Sequence, residues 1–79
     1  MKTRAFVYTN WEMNSEEVFE KNKSQIRYIC WGNEICPKTK KKHEQGLVYF
    51  FNPRSFGARN LKKISDLFGG GCHIEPKRS

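Results

Sequence analysis

Gln45-Gly46-Leu47-Val48-Tyr49-Phe50-Phe51, followed by Asn52-Pro53, is the stretch that decides the fold. Its apolar run mixes β-branched and aromatic side chains, which pack well on a pleated surface. The run is too short for a buried helix, and Asn52-Pro53 is expected to break it. On its C-terminal side a helix is expected from about Ser55 to Leu67. Leu61, Ile64, Leu67 and Phe68 there have the three-to-four spacing of a buried stripe, with Lys62 and Lys63 on the wet side. Gly69, Gly70 and Gly71 end that helix. Cys72-His73-Ile74-Glu75 alternates apolar and polar and predicts a last strand.

On its N-terminal side, residues 33–42 form a polar, basic connection containing Pro37. Before it, residues 25–32 predict a strand. Ala5-Phe6-Val7-Tyr8-Thr9 predicts the first strand. Asn14 or Ser15 is placed to cap a helix running to about Lys23, with Glu16 and Glu17 in its first turn. The order is β-α-β-β-α-β. It predicts an α+β, ferredoxin-like or RRM-like domain over residues 1–79, an antiparallel sheet with both helices on one face. The other face is then open.

Charge says what such a face would meet. The chain has 79 residues and a formal net charge of +7. That excess favours polyanions, nucleic acid before an anionic membrane surface. No stretch approaches the roughly 18 apolar residues of a membrane span, and no signal peptide opens the chain. A soluble protein made in the cytosol and not secreted is expected. Six Phe, three Tyr and two Trp argue against disorder and suit an open sheet that binds single-stranded nucleic acid. Cys30, Cys36 and Cys72 are an odd set and predict reduced thiols. Their spacing lacks the close pair that usually anchors structural zinc.

His43-Glu44-Gln45-Gly46 is the sharpest chemical feature. His43 and Gln45 are two apart, so on a strand they share a face. A hairpin through residues 35–42 returns Glu34 alongside them. One carboxylate, one imidazole and one amide oxygen suit Mn²⁺ or Mg²⁺ better than Zn²⁺. The same residues are also compatible with a solvated strand start and a Glu that balances nearby lysines. Lys38, Lys40, Lys41 and Lys42 form a basic run for DNA phosphates, or a solvated loop. Tyr8, Tyr28 and Tyr49 fall on strands, as core or stacking residues.

His43-Glu44-Gln45-Gly46 resembles the second motif of the viral replication-initiator endonucleases of circoviruses, nanoviruses and cycloviruses. Phe6-Val7-Tyr8-Thr9-Asn10-Trp11 is similar to their first motif, with Trp11 where a second Asn is usual. Gly32-Asn33-Glu34 resembles their Gly-acidic-Glu segment. Gly71-Cys72-His73-Ile74-Glu75 resembles their Cys-His-Ile-Glu strand. The resemblance implies an HUH-type nicking domain of rolling-circle replication. It implies Mn²⁺ or Mg²⁺ on Glu34, His43 and Gln45. It also implies single-stranded origin DNA against Phe6, Tyr8, Asn10, Trp11, Lys40, Lys41 and Lys42. A host-nuclear setting follows from it, and oligomers through regions outside this chain are compatible with it. The family's nucleophile is a Tyr on a later helix, so the catalytic Tyr is expected beyond Ser79. No residue of this chain is expected to attack DNA. Two alternatives stand beside this reading: an RRM-like RNA-binding module, and a non-catalytic basic nucleic-acid-binding protein.

Overall fold

The strand predicted most strongly from the sequence lies inside the sheet, paired on both sides. A computed structural model describes residues 1–77; Arg78 and Ser79, the last two residues of the expected 1–79 domain, lie outside the described residues. The elements are β1 (Lys2–Asn10), α1 (Ser15–Lys21), β2 (Ile26–Ile35), β3 (Lys42–Ser55), α2 (Ala58–Leu67) and β4 (Cys72–Pro76). The sheet order is β2-β3-β1-β4, and every pairing is antiparallel. This is the ferredoxin-like β-α-β-β-α-β arrangement. Among the described residues no helix is long and apolar enough to cross a membrane.

Strand alternation builds the core. Phe6, Tyr8 and Asn10 of β1 point to the helix side, as do Val48 and Phe50 of β3 and Ile74 of β4, and all are buried. Ile64 and Phe68 supply the buried stripe of α2 and its end; Leu61 and Leu67 pack at the margin. Phe6 meets Phe50 edge-on at 5.9 Å between ring centroids, and Tyr8 lies 4.7 Å from Phe68. Past α2 the chain reverses through Gly69 (φ 97°) and Gly70 (φ 88°), conformations that cost glycine little.

Several boundaries differ from expectation. Asn52-Pro53 does not end β3, which runs on to Ser55. Pairing with β1 skips from Ala5↔Tyr49 to Thr3↔Arg54, so Pro53 sits in an irregularity where no ladder donor is needed. Ser55 is therefore strand, and α2 begins later, at Ala58. Strand β2 continues through Glu34 and Ile35, because the hairpin closes tightly, with Cys36 N–H donating to the Lys41 carbonyl at 2.9 Å. Helix α1 stops at Lys21, where the Asn22 side-chain amide donates to the Val18 carbonyl at 2.8 Å.

The start of α1 is capped from across the fold. Asn14 occupies the cap position but makes no side-chain cap hydrogen bond. Instead the Glu44 carboxylate, buried on the helix side of β3, accepts from the Ser15 N–H at 3.0 Å and the Ser15 hydroxyl at 2.7 Å. The Asn10 amide donates to the same oxygen at 3.4 Å. Tyr8 hydroxyl meets Ser15 Oγ at 2.8 Å. The Asn14 amide donates to the Phe68 carbonyl at 3.3 Å, which ties in the end of α2. A carboxylate at a helix N-terminus also opposes the positive end of the helix dipole.

Glu44→Ala leaves the Ser15 N–H without its acceptor in the interior, while the Ser15 hydroxyl keeps Tyr8 and the Asn10 amide keeps Asn14 Oδ1. A stranded buried group costs about 1–3 kcal/mol. Urea unfolding should therefore show a loss of about 1–3 kcal/mol, with Glu44→Gln losing less because its amide oxygen still accepts. Equal stability of wild type and Glu44→Ala would refute the network.

Burial pushes the Cys72 thiol up to about 12 from its ordinary 9.0, and burial also pushes the Tyr8 phenol well above its usual range. Both groups hold their protons more tightly folded than unfolded. As pH rises past 9.0 the unfolded chain loses the Cys72 proton first, so stability falls with rising pH. Thermal melts across this alkaline range should show that decline, and Cys72→Ala should flatten its lower part. A melting temperature independent of pH there contradicts the burial of these acids.

Candidate metal centre and nucleic-acid face

Register brings two of the three expected ligands together. In the β2–β3 ladder Glu34 lies directly opposite His43, and Gln45 lies opposite Gly32. Val48, Phe50 and Glu44 point toward the helices, so His43 and Gln45, at the alternate positions, project from the open face with Glu34. Glu34 Oε2 stands 3.5 Å from His43 Nε2. Gln45 is exposed on that face, beside the pair.

His43 itself is only 8% exposed. Trp11, which leaves β1 just after Asn10, lays its ring 4.5 Å from the imidazole, and Lys41 Nζ sits 5.4 Å from the Trp11 centroid. This stack fixes the ring and leaves Nδ1 buried without a hydrogen-bond partner. Among the described residues there is no group of three or more His, Cys, Asp or Glu placed to hold a metal ion. The candidate set is one carboxylate, one imidazole and one amide, whose oxygen-rich character fits Mn²⁺ or Mg²⁺ with water completing the shell. An ion on Nε2 requires the proton on Nδ1, and Nδ1 has no acceptor. Lost outer-shell support typically costs 10- to 100-fold in affinity, so such an ion would be held weakly.

The expected nucleic-acid contacts divide. Phe6 and Asn10 are fully buried and Tyr8 is 2% exposed, all three on the helix side. They cannot touch a strand lying on the sheet, and their expected role as direct contacts is corrected to core and network. Strand parity puts Phe6, Tyr8 and Asn10 opposite to Val7 and Thr9, a choice the motif does not reveal. Trp11 remains at the open face, as the cover of His43. Lys40, Lys41 and Lys42 are exposed at the hairpin end of the same region, Lys40 with φ 60°. Trp31 falls on the helix side opposite Gly46 and lines a groove with α1.

Charge is segregated between the faces. Of eight acidic residues, Glu12, Glu16, Glu17, Glu20 and Glu44 line that helix-side groove. On the open face, Glu34 faces His43, and Glu75 pairs with His73 at 3.0 Å. The groups that the sequence pattern does not assign are Arg27, in a strand irregularity, and Glu44, whose partners lie on β1 and α1. Only a long-range register exposes either. No known family model matches the chain, and no curated protein matches it.

Gly46 has a structural reason at the end of the His-Glu-Gln-Gly run. A Cβ there would come within 2.9 Å of Trp31 Cα and Cβ, and would overlap the Cys30 carbonyl oxygen. The neighbouring backbone leaves no room. Gly46→Ala should therefore push β2 from β3 beside the Glu34–His43 pair, at about 1–3 kcal/mol or more, as overpacking does. Urea unfolding and amide hydrogen exchange in β2 would measure it; an unchanged midpoint and unchanged β2 protection would count against this packing.

Proposed function

We propose that the open face is a surface for a divalent cation and single-stranded DNA, of the replication-initiator nicking kind. The observation behind this reading is the register that sets Glu34 against His43, with Gln45 on the same uncovered face of a +7 chain. In this reading Glu34 offers a carboxylate oxygen, His43 its Nε2 and Gln45 its amide oxygen. A bound ion would polarise a phosphodiester and offset charge in its transition state. Trp11 holds the imidazole in place, and Lys40, Lys41 and Lys42 draw phosphates to that end of the sheet. The viral and nuclear setting implied by the resemblance belongs to the same proposal.

None of the three tyrosines stands beside Glu34 and His43. Tyr8 is buried on the helix side. Tyr49 lies six residues along β3 from His43, about 20 Å at the usual strand rise. In this reading the chain binds and orients the strand, and none of its three tyrosines is the attacking group. An RRM-like RNA-binding module is the second reading, favoured by Tyr28 facing Tyr49 on an open sheet.

Thermal melts with Mn²⁺ test the first reading. At 100 times its dissociation constant the ion should stabilise the wild type by about 2.7 kcal/mol and leave His43→Ala unmoved. Anisotropy titrations should show single-stranded DNA preferred over duplex, with a log–log salt slope of roughly −0.7 per phosphate neutralised. No Mn²⁺ shift together with metal-independent preference for RNA would select the RRM-like reading instead.

A further inference from the structure

The far end of the open face contains a second constellation. Ile26 pairs with Phe50 and Tyr28 with Tyr49, so β2 has one residue more than β3 opposes. Arg27 is that extra residue, and a β-bulge of this kind re-aims side chains out of strict alternation. Here the Arg27 guanidinium carbon comes 5.7 Å from the centre of the Tyr49 ring. Tyr28 is the direct cross-strand neighbour of Tyr49. The three residues line an open concavity of about 440 Å³. Tyr28 stays 51% exposed, although its aromatic body would gain from cover. Among the described residues Arg27 joins no ion pair, so its charge is available to an incoming anion.

We infer that Arg27, Tyr28 and Tyr49 form a slot for one nucleotide of a single-stranded nucleic acid. The inference rests on the reading of the open face as a single-strand surface. The base stacks against the tyrosine rings, and the Arg27 guanidinium engages the adjoining phosphate. Two features choose this occupant. A flat ligand fits an aromatic wall on a sheet, where a duplex would present only its backbone. A cation beside the rings, on a chain of net charge +7, selects an anionic ligand over a neutral one. The slot lies about 20 Å from His43 along β3, so it anchors the strand away from the proposed ion.

The test is a set of anisotropy titrations with a short labelled oligothymidine, without added metal. Base–aromatic stacking corresponds to roughly five- to 150-fold in Kd per base. Tyr28→Ala should weaken binding within that range, Tyr28→Phe should restore it, and Arg27→Ala should weaken it and flatten the salt dependence. Tyr28 is exposed, so its variants should melt as the wild type does. Photocrosslinking of wild type with a bromodeoxyuridine oligonucleotide, mapped by mass spectrometry, should place the link at Tyr28 or Tyr49. Wild-type binding with Tyr28→Ala within twofold, or crosslinks confined to the hairpin lysines, overturns the slot while leaving the open-face reading intact. No oligothymidine binding by the wild type overturns both. Slot-dependent binding without any Mn²⁺ effect sustains the slot and removes the metal reading alone.

Discussion

The structure turns on one buried carboxylate. Glu44 lies on the helix side of β3, where an unpaired charge would be prohibitive. It is tolerated because Ser15 and Asn10 direct donors at it, from the start of α1 and the end of β1. This arrangement locks β1, β3 and α1 into one relative position. It also fixes the alternation of β3, because a one-residue slip would carry Glu44 to the open face and expel it from its donors. With Glu44 inward, His43 and Gln45 must point outward. The candidate ion site thus depends on a residue that faces away from it.

The same alternation separates charge. Most acids line a groove on the helix side, and the two open-face acids each face a histidine. The helices cover the apolar residues and Glu44, the other groove acids stay exposed on the helix side, and exposed lysines of the β2–β3 hairpin flank the sheet. A polyanion approaching the sheet meets less repulsion than the chain's overall composition suggests. Trp11 adds a different constraint. By covering His43 it removes most of the imidazole from water, and it leaves Nδ1 without a partner. The ring is held in place, yet it lacks the outer-shell acceptor that strong metal sites provide.

Much of the fold was legible in the residues. The Leu47–Phe51 run, the apolar stripe of α2, the closing glycines and the alternation of Cys72–Glu75 each carry a local period, and local period decides element type. The meeting of Glu34 with His43 was also legible, because a hairpin and a two-residue spacing suffice to predict a shared face. The boundaries were less so. Asn52-Pro53 has the form of a breaker, but the β1 register skips over it, and that skip depends on contacts with residues some fifty positions away. Phe6, Tyr8 and Asn10 belonged to a motif that looked like a DNA contact, and burial places them in the core.

What the sequence determined alone was therefore the class of fold, the order of its elements, the basic character and the residues with ligand chemistry. Tertiary structure decided which face each residue serves. Strand parity is indifferent between two faces until helices cover one of them, and the Glu44 network together with the packing of Phe68 and Ile64 makes that choice. It also decided where alternation fails. The bulge at Arg27 and the close approach of Trp31 to Gly46 arise from the pairing of two distant segments, and no local window contains both partners.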